Sequence, residues 1–114
     1  MSQGEALTIQ TVDHPQGVIV RIAGDCNATF IEKLDNELDR VAALHPPLVV
    51  LDLAGLEFIA SLGLGSLLGF RQRIDRAGGR VRIAAAKPAV LDAFKRASLR
   101  AMFASADTVD EALN

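Results

Sequence analysis

The chain has 114 residues, 50% of them hydrophobic and 23% charged, with a net charge of −2 at pH 7. This length and composition predict one domain, residues 1–114, with a packed core, and they exclude a largely disordered chain. No apolar run is long enough to span a bilayer, and the N-terminal residues lack a secretory signal pattern. A single cysteine, Cys26, excludes an internal disulfide. The sequence therefore predicts a cytoplasmic protein without membrane insertion.

Charge is distributed unevenly along the chain. Residues 1–58 hold three basic and nine acidic side chains, whereas residues 71–100 hold nine basic and two acidic ones. A basic segment is one feature of nucleic-acid-binding proteins, but the chain has no Trp or Tyr for base stacking, so we expect no direct binding to nucleic acid. Two interpretations stay open for residues 71–100: a solvated surface, or a surface for an acidic protein partner.

The first part of the chain predicts a hairpin followed by a helix. Residues 6–12 and 17–24 alternate apolar and polar side chains, and turn-forming residues lie between them. A helix is predicted next, with Asn27 as its N-cap and a stop at residues 45–47. Its apolar face, at helical spacing, consists of Ile31, Leu34, Leu38 and Val41.

The middle of the chain alternates strands with helices. Residues 47–53 are nearly all apolar, which is typical of a strand buried on both faces of a parallel sheet. The next helix is predicted to begin at Ser61, with Ser61 as its cap, and to end at the glycines of residues 77–79. Residues 80–86 alternate again and predict a strand.

The C-terminal part predicts a helix over 87–97, a short strand over 101–105 and a last helix over 108–114. Thr108 and Glu111 have the spacing of a capping box at the start of that helix. The whole order is β-β-α-β-α-β-α-β-α. It predicts an α/β fold with a mixed, mostly parallel sheet, an N-terminal β-hairpin and about four helices.

No pattern in the sequence indicates catalytic or metal chemistry. His14 and His45 lie in predicted turns, and one cysteine cannot build a thiolate zinc cluster. Asp25 and Asp52 end two strands, but their spacing does not mark them as a catalytic pair. We expect no enzyme and no metal site, and we interpret Cys26 as a buried, inert thiol.

The glycine-rich run "GLGSLLG" lies between a predicted strand and a predicted helix, which is the position of the glycines in dinucleotide-binding proteins. A dinucleotide-binding fingerprint requires G-x-G-x-x-G, but Leu68 occupies the third glycine position and Gly69 comes one residue late. The strand after this helix ends in "AAAK", without an acid to hold a ribose. The sequence therefore predicts no nucleotide cofactor.

The segment "DLAGLEFIASLGLGSLL" resembles the STAS domain family, which includes bacterial anti-sigma factor antagonists. Sequences of this family typically read D-L-S-G-V-x-F-[ILM]-D-S-[ST]-G-L-G-x-L-L. The matching positions are Asp52, Leu53, Gly55, Phe58, Ser61, Gly63, Leu64 and Gly65. The upstream "RIAGDCNAT" is similar to the family's G-x-L-D loop, and the element order is similar too, so the resemblance covers nearly the whole chain.

The resemblance implies partner switching. In the family, an anti-sigma factor that is itself a serine kinase phosphorylates the serine at the Ser61 position, which breaks the complex between the two proteins. Ser61 is therefore the predicted phosphorylation site, and an anti-sigma factor kinase is the predicted partner. The predicted partner-binding residues are Asp25, Asn27, Ala60, Leu62, Gly63, Leu64, Gly65 and Ser66.

Two alternatives remain beside this interpretation. The first is that Ser61 is only an ordinary helix cap. A phosphate would nevertheless be tolerated at this position, because the N–H groups and the dipole of the helix favour anions. Ala60 replaces the family's aspartate, and Leu62 replaces the serine or threonine that follows Ser61. A STAS-like binding module without phosphorylation, such as a ligand sensor or a small subunit of a lipid-transport complex, is the alternative function.

Overall fold

A computed structural model describes residues 6–114, which form six strands and four α-helices. The strands are β1 (Thr8–His14), β2 (Gly17–Cys26), β3 (Leu48–Asp52), β4 (Leu56–Ile59), β5 (Arg80–Ala84) and β6 (Ala104–Ala106). The helices are α1 (Ile31–Ala42), α2 (Ser61–Arg76), α3 (Pro88–Arg96) and α4 (Val109–Leu113), with 3-10 turns at Ala28–Phe30 and Arg100–Met102. The predicted α/β class is confirmed. The predicted single domain also includes residues 1–5, which lie outside the described residues.

The sheet is mixed, with one antiparallel pair and otherwise parallel pairs. Its main order is β1-β2-β3-β5-β6, and β1 and β2 form the predicted hairpin. The long strand β2 pairs with β3 up to Arg21 and with β4 from Gly24 onward. A bulge separates Gly24 from Asp25, and Gly24 has a φ of 93°, which glycine adopts without strain. The end of β2 therefore lies beside β4 rather than β3.

Apolar side chains are buried on both faces of the sheet. Helices α1, α2 and α3 cover one face with side chains such as Leu38, Phe70 and Phe94, while the short α4 covers part of the other face. Along β3, Val49 and Leu51 belong to the larger core and Val50 to the smaller one. The burial of this strand on both faces is confirmed.

Two local predictions were wrong. The four-residue strand β4 was not predicted. Its two end residues are buried and its two central residues are exposed, so it lacks the alternation that marks a half-buried strand. The strand predicted over 101–105 begins only at Ala104, because Arg100–Met102 form a 3-10 turn. That turn is followed by the buried Phe103, whose ring packs edge-to-face against Phe94 at a centroid distance of 5.3 Å.

Candidate functional site

Ser61 is the first residue of α2 and is exposed to solvent. The N-cap position belongs to Ala60, whose backbone is extended and whose carbonyl accepts a hydrogen bond from the Leu64 N–H at 3.0 Å. The prediction that Ser61 caps the helix was therefore wrong by one residue. Among residues 6–114, no side chain caps α2, so the N–H groups of its first turn lack a side-chain acceptor from this part of the chain. The site combines an exposed hydroxyl with the positive end of a helix dipole.

The end of β2 is held against the start of α2. The Ala60 N–H donates to the Cys26 carbonyl at 2.9 Å, and Asp25 lies opposite Phe58 in the β2–β4 register. Asn27 follows directly, and its side-chain oxygen accepts a hydrogen bond from the Thr29 N–H at 2.9 Å. Asn27 is thus a cap, as predicted, although it caps the 3-10 turn that precedes α1. The fold brings the predicted residues Asp25, Asn27 and Ala60 to one end of the sheet.

The first turns of α2 have an inner and an outer face. Leu64 is 4% exposed, and Gly63 is buried. A Cβ atom at Gly63 would lie 2.7 Å from the Cys26 sulfur and 2.9 Å from a side-chain carbon of Ile59. These two predicted partner-binding residues therefore pack inside the domain, and their side-chain positions offer no surface to a partner.

The outer face of α2 borders an open groove between α1 and α2. This groove has a volume of about 520 Å³, and Ser61, Leu62, Gly65 and Ser66 are among the residues that line it. A Cβ atom at Gly65 would meet no atom within 4 Å, and the same is true of Gly69 one turn later. Unlike Gly63, these two positions have space for a side chain within the described part of the chain.

Phe58 is a surface residue that the sequence prediction did not include among the binding residues. Its side chain is 50% exposed, and that of Leu62 is 61% exposed. Both residues lie within three positions of Ser61 along the chain. Phe58 matched the family motif, which was the available signal, but its exposure depends on β4, which the sequence pattern did not reveal.

Ion pairs lie on either side of this surface. Lys87 at the start of α3 contacts Glu57 of β4, next to Phe58. Arg73 near the end of α2 contacts Asp39 of α1 at 2.6 Å, where the groove reaches the last turns of α2. These pairs are exposed and contribute little to stability.

The other residues considered for chemistry have structural roles. Cys26 is 1% exposed, and burial, together with the charge of Asp35, raises the pKa of its thiol to about 11. Asp52 accepts a hydrogen bond from the Ala54 N–H at 3.1 Å and forms an ion pair with Arg21 at 3.4 Å. Among residues 6–114, no three His, Cys, Asp or Glu side chains are grouped so that they could hold a metal ion.

None of the helices in the described part of the chain is long and apolar enough to cross a membrane.

The fold is similar to those of solved anti-sigma factor antagonist structures. It resembles the crystal structure of an anti-sigma factor antagonist from Mycobacterium paratuberculosis with a TM-score of 0.87, at 27% identity, over 95% of this chain and 92% of that one. It also resembles the anti-sigma factor antagonist SpoIIAA in its unphosphorylated form, with a TM-score of 0.78, at 20% identity, over 93% of each chain.

Sequence comparison gives a consistent result. The anti-sigma-F factor antagonist RsfB of Mycobacterium tuberculosis is 28% identical over 76 residues, which are 67% of this chain and 62% of that relative. The match thus spans less than two thirds of the relative's length. The family model described as the STAS domain matches residues 8–112. The chain belongs to the STAS domain family.

Proposed function

We propose that this protein is an anti-sigma factor antagonist that acts by partner switching, in the cytoplasm and without catalysing a reaction. Its partner would be an anti-sigma factor that is also a serine kinase, and phosphorylation of Ser61 would break their complex. The observation that carries this proposal is the exposed Ser61 hydroxyl at the uncapped start of α2, next to exposed Leu62 and three residues after exposed Phe58.

The position of Ser61 suits a modification that changes the surface while the fold remains intact. A phosphate there would add nearly two negative charges, which the helix dipole and the N–H groups of the first turn favour. The same charges would have to be desolvated when a partner covers Phe58 and Leu62, and burying an unpaired charge is costly. Phosphorylation would therefore weaken binding without unfolding the domain.

The relatives support this proposal. The M. paratuberculosis protein, which shares 27% identity over nearly the whole chain, is described as an anti-sigma factor antagonist. RsfB, which the chain matches over 62% of that relative's length, is described as an anti-sigma-F factor antagonist. The proposed kinase activity of the partner and the proposed phosphorylation of Ser61 rest on the resemblance of the Ser61 motif to that of the family.

The test compares the binding of three variants to a candidate anti-sigma factor kinase from the same organism. We expect Ser61→Ala to bind as the unmodified protein does and to resist release by ATP, and Ser61→Asp to bind at least about tenfold more weakly. Ser98→Asp, at an exposed position after α3, is the matched control for an added charge. Equal binding by Ser61→Ala and Ser61→Asp would contradict the proposal.

The second candidate function is a STAS binding module that is not phosphorylated. Ala60 favours it, because this residue replaces the family's aspartate at the N-cap of α2, directly before Ser61. Under this function, the same surface would hold a constitutive partner or a ligand. A lipid or a transporter subunit that co-purifies with the unmodified protein would support it.

A further inference from the structure

A second, partly enclosed pocket of about 250 Å³ lies at the carboxyl ends of β5 and β6. Its apolar lining comes mainly from β5, α3 and the loop between them. Its polar lining comes from the 3-10 turn at Arg100, from β6 and from the residue that follows β6. The lining includes Ile83, Ala86, Leu91, Arg100, Ser105 and Asp107.

The guanidinium of Arg100 is held in place but is not neutralised. It donates hydrogen bonds to the Ser105 hydroxyl oxygen at 2.7 Å and to the Phe103 carbonyl at 3.3 Å. The nearby Arg71 and Arg96 form ion pairs with Asp75 and Asp92, whereas Arg100 forms none with a carboxylate in the described part of the chain. A half-buried guanidinium with unused N–H donors is a binding group for a carboxylate, which it can meet with two hydrogen bonds.

Asp107 lines the same pocket but does not pair with Arg100 within residues 6–114. The lining of the pocket thus includes one positive and one negative side chain. A ligand that places a carboxylate against Arg100 and a hydrogen-bond donor against Asp107 would satisfy both charges. The volume is just below the usual range of about 300–1,000 Å³ for drug-sized ligands, so the pocket suits a smaller organic molecule.

We propose that this pocket binds a small organic carboxylate that carries a hydroxyl or an ammonium group. Arg100 would hold the carboxylate, Asp107 would accept a hydrogen bond from the hydroxyl or ammonium group, and Ile83 and Leu91 would contact the short carbon chain. This binding is independent of the function proposed for Ser61, because none of the residues involved lines the groove beside Ser61.

The test is a titration of the isotope-labelled protein followed by amide NMR shifts. The probes are L-lactate, L-alanine and propionate, each up to about 10 mM, which is ten times a millimolar Kd. We expect L-lactate or L-alanine to shift the amides of Ala86 and Asp107, and propionate, which lacks the second polar group, to bind more weakly. The better of the first two probes tells whether the donor is a hydroxyl or an ammonium group. The absence of shifts with both probes, or equal binding of propionate, would overturn the proposal.

Substitutions assign the roles within the pocket. Arg100→Ala should weaken binding by about tenfold or more, because a charge-assisted hydrogen bond to the carboxylate is lost. Asp107→Ala should remove the preference over propionate, because the acceptor is lost, and it tests the pocket independently if Arg100→Ala does not fold. Arg96→Ala, which removes an exposed arginine of α3 outside the pocket, is the matched control. Unchanged affinity in either folded variant, Arg100→Ala or Asp107→Ala, would overturn the proposal.

Discussion

The backbone N–H of Ala60 donates a hydrogen bond to the carbonyl of Cys26 at 2.9 Å. This bond joins the last residue of β2 to the N-cap residue of α2, directly before Ser61. It therefore fixes the position of Ser61 relative to Asp25 and Asn27, which are distant from it in sequence. The surface proposed to bind a partner is built around this junction.

Phe58 and Leu62 should contribute to partner binding more than to stability. We expect Phe58→Ala and Leu62→Ala each to weaken binding to the partner kinase by about tenfold or more, because exposed apolar side chains at the centre of an interface are frequent hot spots. Leu44→Ala is the matched control, since Leu44 is 56% exposed and lies just after α1. Calorimetric titration measures the effect. Binding by both variants at the control's affinity would place the interface elsewhere.

The glycines of α2 should respond in opposite ways to alanine. Gly63→Ala should lower the free energy of unfolding, because the clash with Cys26 and Ile59 costs about 1–3 kcal/mol and exceeds the helix-propensity gain of about 1 kcal/mol. Gly65→Ala should raise it by about 1 kcal/mol, because its Cβ atom meets open space. Urea denaturation of both variants measures the difference. Stabilisation by Gly63→Ala would show that α2 packs less closely against Cys26 and Ile59 than the distances at Gly63 indicate.

The vacant cap of α2 can be filled. Ala60→Asp should raise the free energy of unfolding by about 1 kcal/mol, because its carboxylate can accept a hydrogen bond from a first-turn N–H and favours the helix dipole. Ala60→Leu serves as a control that adds a side chain without a cap. Chemical denaturation measures both, and equal stability of the two variants would argue against an uncapped helix.

Cys26 should make stability depend on alkaline pH. Burial, together with the charge of Asp35, raises its pKa from 9.0 to about 11 in the folded protein. Above about pH 9 the unfolded chain therefore loses the thiol proton while the folded chain keeps it. This contribution to stability is complete below pH 9 and is lost as the pH rises toward about 11.

The measurement is denaturation of the protein and of Cys26→Ala across this pH range. We expect the stability of the unmodified protein to fall more steeply with pH than that of the variant. Parallel slopes would mean that the folded thiol ionises as readily as the unfolded one.

The sequence was sufficient to predict most of the fold, because hydrophobic periodicity is a local property. The helix face at Leu34 and Leu38 is buried, and Thr108 and Glu111 form the predicted capping box. The strand β4 was missed because it owes its conformation to pairing with the second half of β2, a non-local interaction.

The site was predicted less completely for the same reason. Ser is a better cap than Ala by intrinsic preference, yet the bond between Ala60 and Cys26 sets where the extended chain ends and α2 begins. The spacing of glycines in the sequence also does not predict that Gly63 faces the sheet while Gly65 faces the groove. That distinction depends on how α2 is rotated against β2 and β4.

The most direct test of the central claim is peptide mass spectrometry of the protein isolated from its own organism, during growth and under stress. We expect phosphate on Ser61, with an occupancy that changes between conditions, and none on Ser98, which serves as an internal comparison. Unmodified Ser61 in every condition would rule out partner switching by phosphorylation of this residue, and the surface around Ser61 would then be the site of a constitutive partner or ligand.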